Sequence, residues 1–236
     1  MRAHLSGDRR GLRDRPVRIS IEGAKRRWSD LETWPPPSTP QSWYLQPGTG
    51  LSTTVPVQSG PDHYRYDPLD PTPAVGALSL MPGRPRRDNR KLEARSDVLV
   101  YTSAALTHEL EIIGTATAEI FFESSLGHTD VFVRLCEVSR SGESLNITDG
   151  IVRLSPDGGA IPDVVQRITV NLRPTAFRFA RGCCIRVQVS SAAHPRYARN
   201  LGTGEPVATA SATKVAHQTV FHDPTQPSAL VLPVTS

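Results

Sequence analysis

The side chains of this chain that could do chemistry are seven histidines, three cysteines and a few acids set beside turns. General-base catalysis needs a histidine with a nucleophile in reach on one side and an orienting carboxylate on the other. His108, His128, His194 and His222 fall in predicted turns, where a solvated imidazole is expected. His217 opens the run 217–221, where a hydroxyl or carbonyl would satisfy it. The nucleophile elbow G-x-S-x-G does not occur, because Gly50-Leu51-Ser52 and Gly142-Glu143-Ser144 both lack the closing glycine. There is no P-loop and no C-x-x-C, and His108-Glu109 is not followed by the second histidine of a zinc helix. Gly202-Thr203-Gly204 lacks the third glycine of a dinucleotide site. Asp130 and Asp149 are metal ligands in type only and read as turn-capping acids. The sequence therefore predicts no catalytic residue, no metal and no cofactor of its own.

Recognition is the remaining chemistry, and it points to residues 171–205. Two apolar alternating runs there, joined at Arg181-Gly182, read as a central strand pair. The second run opens into a polar loop carrying His194, Pro195, Arg196, Tyr197, Arg199 and Asn200, closed by Gly202 and Gly204. Strands packed in a sheet give such a loop a rigid base, so an interaction surface is expected here.

The elements that must hold this loop are strands. From residue 98 onward, runs at 98–101, 110–113, 117–122, 131–138, 145–154, 164–172, 185–189, 218–221 and 229–234 are separated by turn sequences such as Ser141-Gly142. Helical periodicity is nearly absent, so the fold class predicted is all-β, a jelly-roll β-sandwich. Before it, residues 28–85 hold many prolines, among them Pro35, Pro36, Pro37, Pro40 and Pro47, interleaved with Trp34, Trp43, Tyr44, Tyr64 and Tyr66. Proline excludes a long helix and the aromatics argue against disorder, so an ordered meander laid on a sheet surface is expected. Arg84 to Lys91 reads as an exposed, solvated turn. Residues 17–21 read as a short strand, an edge strand if an absent sheet supplied its neighbours. Residues 1–15 read as the tail of a helix.

Composition narrows the partners. The net charge of +4 is misleading, because residues 1–27 hold nine Lys or Arg against Asp8, Asp14 and Glu22, an excess of six, so the rest sums to minus two. Nucleic acid needs basic side chains along a folded face, and none is implied. No apolar run is long enough to span a membrane, and the first residues lack the apolar centre of a secretion signal, so the cytoplasm is expected. In that compartment Cys136, Cys183 and Cys184 read as buried, inert thiols, and Asn146-Ile147-Thr148 as plain strand sequence.

An ordered set of short runs also carries a family resemblance: DVLVYTS at 97–103, LEIIG at 110–114, Thr129-Asp130, DGIVR at 149–153, Gly182, Val189-Ser190-Ser191, Pro195-Arg196-Tyr197, Arg199-Asn200, Thr203-Gly204-Glu205, His222-Asp223-Pro224 and Leu232-Pro233-Val234. Pro16-Val17-Arg18-Ile19, Trp28, Trp34-Pro35, Tyr66-Asp67-Pro68 and Asp70-Pro71 continue it upstream. Together they resemble the carboxy-terminal, galactose-binding-like jelly roll of the X-Pro dipeptidyl-peptidase and cocaine esterase (CocE/NonD) serine hydrolases. The resemblance implies that residues 1–26 are the end of an α/β-hydrolase domain and that residues 27–236 are the jelly-roll domain. It also implies that the partner is an α/β-hydrolase catalytic domain bearing the Ser, Asp and His triad. His4 resembles a residue of that domain's last helix, so no catalytic residue carries over and the chain is expected to be inactive alone. A turn resembling Pro73-Ala74-Val75-Gly76-Ala77 places Leu80 and Met81 at the family's acyl-pocket wall, with Ala77 standing where the family has glycine. Gly182-Cys183-Cys184 departs from the family's Gly-His-Arg. The alternative is a free-standing carbohydrate- or protein-binding module stacking Trp34, Trp43, Tyr44 or Tyr197 on a ligand.

Overall fold

The computed structural model describes residues 7, 13–76, 86–206 and 208–235. Its strands are β1 (Val17–Gly23), β2 (Arg27–Leu31), β3 (Thr39–Gln46), β4 (Gly50–Ser52), β5 (Asp62–Tyr66), β6 (Leu99–Ser103), β7 (Leu110–Gly114) and β8 (Thr117–Ser124). They continue with β9 (Thr129–Val138), β10 (Ser144–Leu154), β11 (Gln166–Asn171), β12 (Thr175–Phe179), β13 (Cys184–Ser190), β14 (Ala216–Phe221) and β15 (Ala229–Val234). One helical turn, α1 (Arg90–Glu93), precedes β6.

Alternation in the sequence becomes alternation of burial. In β8 the side chains of Ala118, Ile120 and Phe122 point inward while their neighbours are half-exposed. Strand β9 is buried at every position, because it lies between β10 and β13 and is covered on both faces. The hydrogen-bonded path runs β10-β9-β13-β6-β4-β3-β15-β7-β12-β1-β2, with β8 joined to β15 and carrying β11 and β14, and β5 on β14. This path curls over one core. Val131, Val133 and Leu135 of β9 and Ile185, Val187 and Val189 of β13 meet Ile120 and Phe122 of β8, Phe177 and Phe179 of β12, and Leu230 and Leu232 of β15. The jelly-roll sandwich expected from the sequence is the fold observed.

Three local readings change. The runs on either side of Arg181-Gly182 are not a hairpin: β12 pairs with β7 and β1, whereas β13 pairs with β9 and β6. Gly182, at a φ of +84°, turns the chain from one layer into the other. Local sequence specifies a strand and a tight turn; it does not specify the partner. Next, the proline-rich stretch supplies β2 to β5 to the sheets and is no surface meander, with Trp43, Tyr64 and Tyr66 in the core. Pro40 faces Pro233 at one rung between β3 and β15, so the missing N–H groups coincide and cost the ladder little elsewhere. Last, β1 has both neighbours within this chain, β2 antiparallel and β12 parallel. The helix tail expected at residues 1–15 falls almost wholly outside the described residues.

Candidate functional site

The polar loop after β13 is built by spending its polar groups inward. Ser191 is fully buried and receives a hydrogen bond from Gln218 (3.3 Å), while Tyr64 lies 2.9 Å from its hydroxyl. His194 then pairs alongside Pro73: its N–H donates to the Thr72 carbonyl at 2.9 Å and its carbonyl accepts from the Ala74 N–H at 2.7 Å. Arg199 donates to the Pro68 carbonyl (2.8 Å), and the Asn200 carbonyl accepts from Tyr66 (3.2 Å). Arg196 stacks on Tyr197 with its guanidinium 5.1 Å from the ring, and Tyr197 tilts against Phe132 at 6.4 Å. The loop is therefore braced by its own residues. Tyr197 already carries a partner on its face and Trp43 is in the core, so neither offers a bare stacking platform.

Beneath the loop lie the two acids read as turn caps, and the structure corrects both readings. Asp130 and Asp149 are strand residues of β9 and β10, buried and ion-paired. Asp130 takes both arms of Arg153 (2.9 and 2.8 Å) and the Asn200 amide (2.8 Å). Asp149 accepts from Arg134 at 3.1 Å and from Arg196 at 2.7 Å. Arg134 has no exposed surface and is among the largest fully buried side chains. Burying a guanidinium is tolerable only with a carboxylate and enough acceptors; its terminal N–H groups also go to Asn89 (2.8 Å) and to the carbonyls of Val75 and Gly76, while the buried Nε–H has no hydrogen-bond partner among the described residues.

Leu80 and Met81, the residues expected to wall an acyl pocket, lie outside the described residues. Their flanks are described. The turn ends on Gly76 at a φ of +68°, and a methyl group there would overlap the Asn146 side-chain oxygen. On the far side, Arg86 is half-buried over the Phe177 ring at 4.8 Å and pairs with Glu137 at 2.9 Å. Asn89 is fully buried. The stretch read as a solvated turn is thus anchored at these two residues, while Arg87, Arg90 and Lys91 are exposed as expected.

One histidine was misjudged more seriously. His222 is only 2% exposed, its Nδ1 is 3.0 Å from the Ser59 hydroxyl, and its Nε2 is 3.0 Å from Asp62. These are the residue types of a hydrolytic triad, but the surroundings give them another role. Asp62 also accepts from the Tyr101 hydroxyl at 2.7 Å, and the His222 ring stands edge-on to Tyr101 at 6.0 Å. The Ser59 hydroxyl lies within 3.4 Å of the His222 carbonyl, so it can donate there and accept from Nδ1. That arrangement stabilises an imidazolium, and the hydrogen bond and charge of Asp62 hold His222 above its ordinary pKa. With the Ser59 hydroxyl turned to the His222 carbonyl, its proton is not aimed at the ring, and His222 is not placed to take it. Surface cavities of about 420, 190 and 450 Å³ are lined by other residues: Arg65, Asp70 and Arg95 among those of the first, Lys25, Glu109 and Arg178 of the second, and Arg13, Trp28 and Asp30 of the third.

The pair yields a pH prediction. His222, with its pKa raised from 6.5, contributes stability that is complete below that value and fades as pH rises through the folded pKa. Asp62, with its pKa lowered from 3.8 chiefly by the bond to His222, contributes above 3.8 and fades as pH falls through its folded value. Asp62→Asn should therefore cost most between these two ordinary pKa values, by about 1 kcal/mol or less because solvent screens a part-exposed carboxylate. Thermal midpoints of the two proteins should converge in alkaline buffer; a constant gap would remove the charge from the account.

Among the cysteines, Cys136 and Cys183 are buried free thiols, and burial pushes Cys136 up to about 12. Cys184 is only half-buried. Among the described residues no cluster of His, Cys, Asp and Glu could hold a metal ion, and no helix is long and apolar enough to cross a membrane.

Comparison with known proteins places the whole arrangement. The profile of the X-Pro dipeptidyl-peptidase C-terminal non-catalytic domain matches residues 11–231. The cocaine esterase of Rhodococcus sp. (strain MB1 Bresler) is 31% identical over 252 residues, taking in 98% of this chain but 44% of the esterase. The structure of an α-amino acid ester hydrolase superposes with a TM-score of 0.81 at 28% identity, covering 93% of this chain and 41% of that one. An aminopeptidase from a marine-sediment thaumarchaeon shares the fold, with a TM-score of 0.86 at 24% identity over 100% of this chain and 43% of its own. The chain spans less than half the length of these relatives.

Proposed function

Because the chain belongs to the X-Pro dipeptidyl-peptidase C-terminal non-catalytic domain family, we propose that it is the accessory β-sandwich of a serine hydrolase, with no acyl transfer of its own. The observation that carries this reading is the family match across residues 11–231, together with relatives more than twice as long. In this reading residues 1–26 end an α/β-hydrolase domain and hand over to the sandwich through β1. The sandwich supplies interdomain surface, and Leu80 and Met81 wall the acyl pocket. Two of the relatives are named for ester hydrolysis, which favours ester substrates over X-Pro peptides. The serine nucleophile, its base and its orienting acid belong to the catalytic domain.

The test uses the chain alone and joined to an α/β-hydrolase catalytic domain of the family. Alone, it should hydrolyse a nitrophenyl ester or an Ala-Pro anilide no faster than buffer, and Ser59 should stay unlabelled by a fluorophosphonate. Joined, the ester should turn over at an enzymatic rate, about 10⁶-fold or more above the uncatalysed one. Turnover by the isolated chain that disappears in Ser59→Ala would overturn the proposal.

A further inference from the structure

We propose that Arg134, seconded by Asn146, is a positioning residue that holds the two stems 72–76 and 86–89 at one separation and thereby fixes the base of the proposed pocket wall. This rests on the reading that Leu80 and Met81 line the acyl pocket. Each of the two side chains touches both stems. Arg134 donates to the Val75 and Gly76 carbonyls on the first and, at 2.8 Å, to the Asn89 side chain on the second. Asn146 takes the Arg87 N–H at 2.8 Å on its side-chain oxygen and the Arg86 Nε at 3.2 Å on its carbonyl, while Gly76 packs against it so closely that any Cβ would overlap.

A guanidinium is suited to this because its N–H groups leave a rigid plane in fixed directions, so acceptors on two segments are held at one spacing. Lysine carries the same charge without that fork. Asn146 is aimed by a bulge, since the β9–β10 register shifts between Asn146 and Thr148. The same register sets Asp149 directly opposite Arg134, and Asp149 passes the link to Arg196 in the polar loop. Wall stems, strand bulge and loop are thus tied through one buried cation.

Hydrogen exchange on the isolated chain tests the clamp. Arg134→Lys keeps the charge beside Asp149 and loses the fork; Gly76→Ala forces the first stem off Asn146 and strains the Gly76 carbonyl's bond to Arg134 while leaving the Arg134 and Asp149 side chains in place. In both, the amides of Ala74 and Arg87 should exchange about 10-fold faster or more while that of Val187 in β13 stays protected. In the joined hydrolase, both variants should raise KM for a long-chain acyl ester about 5- to 10-fold with kcat for an acetyl ester unchanged. Unchanged exchange at both stems in folded variants overturns the clamp. If exchange rises and Leu80→Ala alters KM while the clamp variants do not, the positioning role is overturned. If Leu80→Ala and Met81→Ala both leave KM unaltered, the pocket-wall reading is what fails, and exchange alone judges the clamp.

Discussion

Replacing Asp149 with alanine is expected to lower the unfolding free energy by about 3–5 kcal/mol, the usual cost of leaving a buried charge without its partner. Asp149 is the carboxylate shared by Arg134, which is fully buried, and Arg196. Without it two cations face each other near carbonyl oxygens that can only partly compensate. The loss should appear in urea unfolding as a lower midpoint at unchanged slope. A loss below about 1 kcal/mol would mean that water reaches Arg134, and the description of it as buried would be wrong. Asp149→Asn should fall between, since the amide can still accept from both arginines.

Phe177→Ala should be of similar size, about 3–5 kcal/mol, for a different reason. Phe177 is 1% exposed and meets Phe179 edge-on, with ring centroids 5.0 Å apart. Truncation leaves a void where β12 lines the core, and the sheet cannot collapse into it without breaking register with β7. The same change removes the ring under Arg86. Phe177→Ala should therefore also loosen the second stem, seen as faster exchange at Arg87, whereas Phe179→Ala should destabilise without that local signature.

The strands were legible because period-2 alternation survives almost everywhere: Ala118, Ile120 and Phe122, or Ile185, Val187 and Val189, can be assigned to one face by counting. Pairing was not legible, because a turn at Arg181-Gly182 looks the same whether the chain returns beside itself or crosses to the facing layer. The buried ion pair was hidden by one residue. Counting back from the Ser141-Gly142 turn without interruption sets Thr148 opposite Arg134; the bulge after Asn146 brings Asp149 there instead. His222 was misread because His222-Asp223-Pro224 has turn chemistry, and Asp223 does cap the turn through Thr225 and Gln226. What buries the ring is Tyr101 and Ser59, far away in sequence. The family resemblance rested on short runs in fixed order, several of which prove to be the buried polar centres: Asp130, Asp149, Asn200 and His222.

The long hydrogen-bonded path has two ends, β10 and β2, and neither invites another molecule to add a strand. At β10 the ladder is broken by the bulge, and Asp88 already bridges Leu145 along the open side. At β2 only five residues are offered, crossed by the Arg18–Asp30 and Arg27–Glu111 ion pairs. Such rims deter edge-to-edge stacking into fibrils. Fibril growth should accordingly not start from β10 or β2, and a thioflavin-positive assembly with a new strand laid against either would contradict this.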